Sequence, residues 1–104
     1  MKSTQDINKF ARAGAIHNQY GLFVEYNGKQ IFAWDKYVNV ITFHAPDGVG
    51  TSKAQLRHMN TALEILGLDA EFKLAEENKI LALMDSDETA LGWINLDDKQ
   101  QLSF

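Results

Sequence analysis

Two adjacent residues, Asn27 and Gly28, constrain the fold of this chain more than any others. They stand inside "YGLFVEYNGKQIFAWDKYVNVITFH", residues 20–44. Asn-Gly is the dipeptide that best tolerates the two positive φ angles of a type I′ turn, and the flanking residues are β-branched and aromatic. The stretch therefore predicts a hairpin, and a second turn at Asp35-Lys36 extends it to a three-stranded antiparallel meander.

A different period follows. In "SKAQLRHMNTALEILG", Leu56, Met59, Leu63 and Leu66 recur at helical spacing, Ala62 and Ile65 widen the stripe, and Gly67 stands at the C-terminal stop. This is the main helix. Ahead of the meander, Ser3 as N-cap, Asp6 three residues later and Ile7, Phe10, Ala11 and Gly14 on one face predict a short amphipathic helix ended by Gly14. Beyond the main helix, residues 71–75 and 80–84 read as a hairpin around Glu77-Asn78, residues 91–96 as a further strand, and "DDKQQLSF" as a turn with a short edge strand. The expected fold is α+β: one domain over residues 1–104, an antiparallel sheet of five to six strands that begins with the meander, the main helix on one face and a short N-terminal helix.

One irregularity bears on function. Strict alternation puts Leu22, Val24, Ile31, Ala33, Val38 and Val40 on one sheet face and Phe23, Phe32, Trp34, Ile41 and Phe43 on the other, so both faces read as apolar. Either the N-terminal helix covers the second face, or that face meets a partner or a second copy of the chain.

With 45% hydrophobic and 23% charged residues the chain falls in the range of folded globular proteins. It has no cysteine, which excludes disulfides, thiolate metal sites and cysteine nucleophiles and leaves the cytoplasm as the default compartment. No stretch has the form of a signal peptide or the roughly 20 apolar residues of a membrane span, so the expectation is a soluble protein without a membrane partner. Net charge is −4, divided as +1 over residues 1–52 and −5 over residues 53–104. A basic stripe that would displace counterions from phosphates is missing, which argues against nucleic acid as partner.

The stretch most like a catalytic motif is "PDGVGTSK", residues 46–53. A phosphate loop of Walker type needs lysine before the hydroxyl; here Thr51 and Ser52 precede Lys53, and the preceding strand belongs to a meander and not to a parallel sheet. The plain reading is a helix start capped by Thr51 or Ser52. The functional alternative is an anionic ligand held by Thr51, Ser52, Lys53 and Arg57 at the positive end of the helix.

His17, His44 and His58 lack metal-ligand spacing and read as surface or boundary residues. Asp85, Asp87 and Glu88 in "MDSDET" lack the length of a calcium loop and read as a solvated turn. With no Ser/His/Asp set either, no catalytic residue, metal or cofactor is expected, and the chain reads as a non-enzyme. Glu76, Glu77, Asp85, Asp87, Glu88, Asp97 and Asp98 all fall in turns and could form one acidic rim that steers association with a basic partner.

The string "GTSKAQLRHMN", following an aromatic meander with an Asn-Gly turn, resembles a loose class of small phage- and plasmid-encoded proteins. The acidic balance, the size and the lack of cysteine are also similar to inhibitors of bacterial defence, including anti-CRISPR proteins. The resemblance covers roughly residues 20–66 and implies a mobile-element protein that works by binding, in the host cytoplasm. It transfers no functional residue. The expectation is thus a binding protein that occludes a host protein with a basic surface, with Phe23, Phe32 and Trp34 as anchors and Glu76, Glu77, Asp87 and Glu88 setting orientation.

Overall fold

The computed structural model describes residues 2–44, 53–75, 80–95 and 99–103. The chain runs α1 (Gln5–Asn8), β1 (Ala13–Asn18), β2 (Gly21–Tyr26), β3 (Lys29–Asp35), β4 (Val40–His44), α2 (Lys53–Ile65), β5 (Ala70–Ala75), β6 (Ile80–Asp85), β7 (Ala90–Asn95) and β8 (Lys99–Ser103). The class is α+β, with α2 the main helix. The strands form two antiparallel sheets, of order β1-β2-β3-β4-β8 and β5-β6-β7, in place of the single sheet expected from sequence. The reason is packing. Phe72 of β5 lays its ring against Phe43 at 4.8 Å and Phe32 at 6.3 Å, so the second meander faces the first across a core that α2 also lines.

The Asn27-Gly28 hairpin forms as its residues dictate, with φ of 53° and 78° and Tyr26 paired with Lys29. The second turn is wider than Asp35-Lys36. Asp35 Oδ1 accepts the N–H of Tyr37 at 2.9 Å, and Asn39 takes a φ of 54° before β4 begins.

The N-terminal expectation holds only in that a short helix begins there: Thr4, and not Ser3, stands at the N-cap, and its side chain makes no capping bond. Asp6 Oδ2 accepts the Ser3 N–H at 2.8 Å, a bond that holds the Asp6 carboxyl below its usual range. The helix ends at Asn8, and Gly14 lies inside β1, paired with Glu25. Ile7 is fully buried in the common core, so α1 sits on the inner side of the larger sheet and does not cover its outer face.

A β-bulge alters the expected division of faces. Val24 pairs with Phe32 but Glu25 pairs with Gln30, which leaves Ile31 as the extra residue and buries Ile31 and Phe32 together. Beyond the bulge the phase is set by Leu22 opposite Trp34 and Trp34 opposite Ile41, so the large aromatics of β3 and β4 share the inner face with Leu22 and Val24. The outer row is Ile16, Phe23, Ala33 and Thr42, less apolar than alternation predicted.

On α2 the stop at Gly67 is as predicted: φ is 73°, the Gly67 N–H donates to Glu64 O and the Leu68 N–H to Leu63 O, both at 3.0 Å. Burial is centred differently. Met59, Ala62 and Leu63 are buried as expected, but Gln55 and His58 are buried beside them while Leu56 is only half-covered. His58, expected at the surface or boundary, is 1% exposed because Phe10 and Tyr26 close over it.

Candidate functional site

The Gly67 stop turns the chain from α2 through Leu68 and Asp69 into β5, and brings the C-terminal turn of the helix beside the tight connection between β6 and β7. That connection is built around Asp85. Its Oδ1 accepts the N–H groups of Asp87 at 3.0 Å and Thr89 at 2.9 Å, its carbonyl accepts the Glu88 N–H at 3.0 Å, and Glu88 adopts a φ of 61°. Asp85 thus fixes the shape of its own turn and leaves Asp87 and Glu88 exposed to solvent.

Between the two elements lies a cleft of about 440 Å³. Leu68, Ala70 and Met84 contribute its apolar lining, and five carboxylates, Glu64, Asp69, Glu71, Asp85 and Glu88, stand around it against a single lysine, Lys73. The lining therefore carries a net charge of −4, from five negative and one positive group, equal to that of the entire chain. Lys73 is already engaged: its Nζ lies 3.2 Å from Glu71 Oε1.

Lys73 continues the site onto the outer face of the smaller sheet. It pairs in register with Ala82, and Ala82 pairs with Trp93. Ala82 is buried between these long neighbours, whereas Trp93 is 58% exposed and Leu91, the extra residue of a second bulge, is 40% exposed. An exposed large aromatic on the sheet whose edge strand lines the acidic cleft is the kind of side chain that protein interfaces favour. Among the described residues no His, Asp and Glu side chains converge as a bound metal ion would require, so the carboxylates form a field and not a cation cage.

The residues expected from sequence divide differently. Phe32 is fully buried and offers no surface to a partner, because the bulge at Ile31 turns it inward. Trp34 is half-buried on the inner face, its Nε1–H donating to Asn39 Oδ1 at 3.0 Å. Phe23 is half-buried on the outer face of the larger sheet, remote in the topology from the acidic turn. Glu88 lines the cleft and Asp87 is exposed in the same turn, while Glu76 and Glu77 lie outside the described residues. So do Thr51 and Ser52. Lys53 is exposed at the start of α2, and the Arg57 guanidinium lies 4.7 Å from the centre of the Phe10 ring.

Glu64, Asp69, Glu71 and Trp93 were missed. Glu64 is exposed on α2 and Trp93 alternates with the buried Gly92, so helical and strand periodicity could have placed both outward; the fold alone gathers Glu64, Asp69 and Glu71 around one cleft. No protein-family model matches the chain, and neither a curated protein nor a solved structure is similar enough to count as a match.

Proposed function

We propose that this chain is a non-enzymatic binding module that attaches to a basic surface of another protein through the acidic cleft and Trp93, and acts by occluding that surface. The observation that carries the reading is the cleft itself, lined by five carboxylates and one ion-paired lysine, with Trp93, 58% exposed, two strands across the same sheet from that lysine. Carboxylates around the rim set orientation and on-rate, while an exposed aromatic supplies the apolar contact that slows dissociation. A host protein blocked by a mobile-element product, the role suggested by the resemblance to phage-encoded inhibitors, is the form of partnership we propose.

The test is capture from a bacterial lysate with three baits: the native chain, a charge-reversed chain carrying Glu71→Lys and Asp85→Lys, and Trp93→Ala. We expect a stoichiometric protein partner on the native bait and its loss from both variants. A partner retained equally by all three, or none at all, overturns the reading. Asp85 also shapes its turn, so Glu64→Lys with Glu71→Lys serves as the pair that leaves the turn intact.

The second reading places an anionic ligand at Lys53 and Arg57. It is favoured by the gathering of Lys9 and Arg57 over the Phe10 ring, at 5.6 Å and 4.7 Å. It calls for salt-sensitive binding of labelled nucleic acid or nucleotide that Arg57→Ala removes.

A further inference from the structure

Among the described residues β1 is an edge strand, paired with β2 alone. The side-chain amide of Asn8 bonds both the N–H of Ala15, at 2.6 Å to Oδ1, and its carbonyl, at 3.2 Å from Nδ2. Ala15 therefore points its backbone groups away from β2, and by alternation so do Ala13 and His17. The Ala13 N–H is taken by Phe10 O at 3.2 Å. A side-chain amide that bonds one strand residue twice occupies the place of a neighbouring strand, which is how sheet edges are kept from pairing with other chains.

The segment that supplies this cover, residues 3–12, is held by two further contacts. Ile7 is buried in the core, and the Phe10 ring meets the His58 ring edge to face at 4.9 Å. His58 also meets Tyr26 of β2 at 5.6 Å, is 1% exposed, and its Nδ1 has no hydrogen-bond partner among the described residues. The charged and titratable groups around it are Arg57 on its own helix, Tyr26 on β2 and, across the Phe10 ring, Lys9 of the N-terminal segment. None is a carboxylate able to accept a charged imidazole.

We propose that residues 3–12 form a displaceable strap over the β1 edge and that His58 governs its release, holding the strap shut when neutral and letting it lift when protonated. A proton on His58 would place an imidazolium, buried and unpaired, against a ring already shared by two cations. Lifting the strap returns His58 to water and frees the outward groups of Ala13 and Ala15, which with those of His17 make a row suited to an extended backbone of another chain. Burial, and then the Arg57 charge, lower the His58 pKa below its ordinary 6.5, so the closed form is neutral at pH 7 and the lifted form gains a proton as pH falls below about 6.5. The proposal is independent of what the acidic cleft binds.

Amide hydrogen exchange of the full chain at about pH 7.5 and pH 5.5, corrected for intrinsic rates, tests it. One pH unit below the ordinary imidazole value corresponds to at most about tenfold in the opening equilibrium. We therefore expect the Ala15 amide to lose protection, by up to about tenfold, at the lower pH while Met59 and Leu83 keep theirs, and His58→Phe to make Ala15 protection equal at both values. Asn8→Ala, which removes the clamp and keeps His58, should lower Ala15 protection at both pH values and preserve the pH dependence. Ala15 protection that does not change with pH in the native chain overturns the proposal. So does a loss shared equally by Met59 and Leu83, or a pH dependence that survives His58→Phe.

Discussion

Asparagine does the same work twice in this molecule. Asn60 of α2 accepts the Phe72 N–H at 2.5 Å and donates to Phe72 O at 3.2 Å, repeating on the edge strand of the smaller sheet what Asn8 does on that of the larger. Asn60 is half-buried over the buried Phe72 whereas Asn8 is exposed, so water replaces the lost bonds less readily at Phe72 than at Ala15. Asn60→Ala should cost about 2 kcal/mol and Asn8→Ala about 1 kcal/mol, measured by urea unfolding. Equal costs, or the reverse order, would contradict this account of the clamps. His58 gives the pH dependence its sign: its folded pKa lies below the unfolded 6.5, so the stability it contributes is full above about pH 6.5 and declines as pH falls toward the folded value. The urea midpoint of the native chain should fall between about pH 7 and pH 5, and that of His58→Phe should fall less. Neither asparagine announces its role in the sequence, since a clamp depends on which strand the helix happens to lie beside.

At the scale of elements, the hairpins show what a local pattern can and cannot say. Asn27-Gly28 and the Gly67 stop were legible because a single backbone geometry selects those residues. β1 was not, because "AGAIHN" has only one β-branched residue and its Gly14 reads as the stop of the preceding helix. Division into two sheets was hidden for a related reason: alternation specifies which residues face inward but not which strands are neighbours. Two glycines separate turn chemistry from close packing. A Cβ on Gly21, where φ is 148°, would lie 1.8 Å from the Trp34 carbonyl oxygen, whereas one on Gly28 meets nothing within 4 Å. Gly21→Ala should therefore cost at least about 3 kcal/mol, and Gly28→Ala about 1 kcal/mol from its positive φ alone. Thermal unfolding of the two variants would contradict this if Gly21→Ala were the milder.

For the whole molecule, the uneven charge of the sequence becomes a place. Residues 53–104 carry the −5, and the fold gathers Glu64, Asp69, Glu71, Asp85 and Glu88 from a helix, two connections and two strand ends around one cleft. The acidic tendency was readable from composition, and Asp87 and Glu88 from the turn; the aromatic anchors were not, because the bulge at Ile31 sends Phe32 inward and leaves Trp93 of the other sheet as the exposed ring. No described helix is long and apolar enough to cross a membrane. The most direct measurement is the affinity of the captured partner for the native chain at about 50 mM and about 300 mM salt, since exposed charges a Debye length apart are screened over that range. The account predicts an affinity at least about tenfold weaker at the higher salt, with the dependence largely lost in the Glu64→Lys, Glu71→Lys chain. An affinity unchanged by salt and by the charge reversal would contradict it.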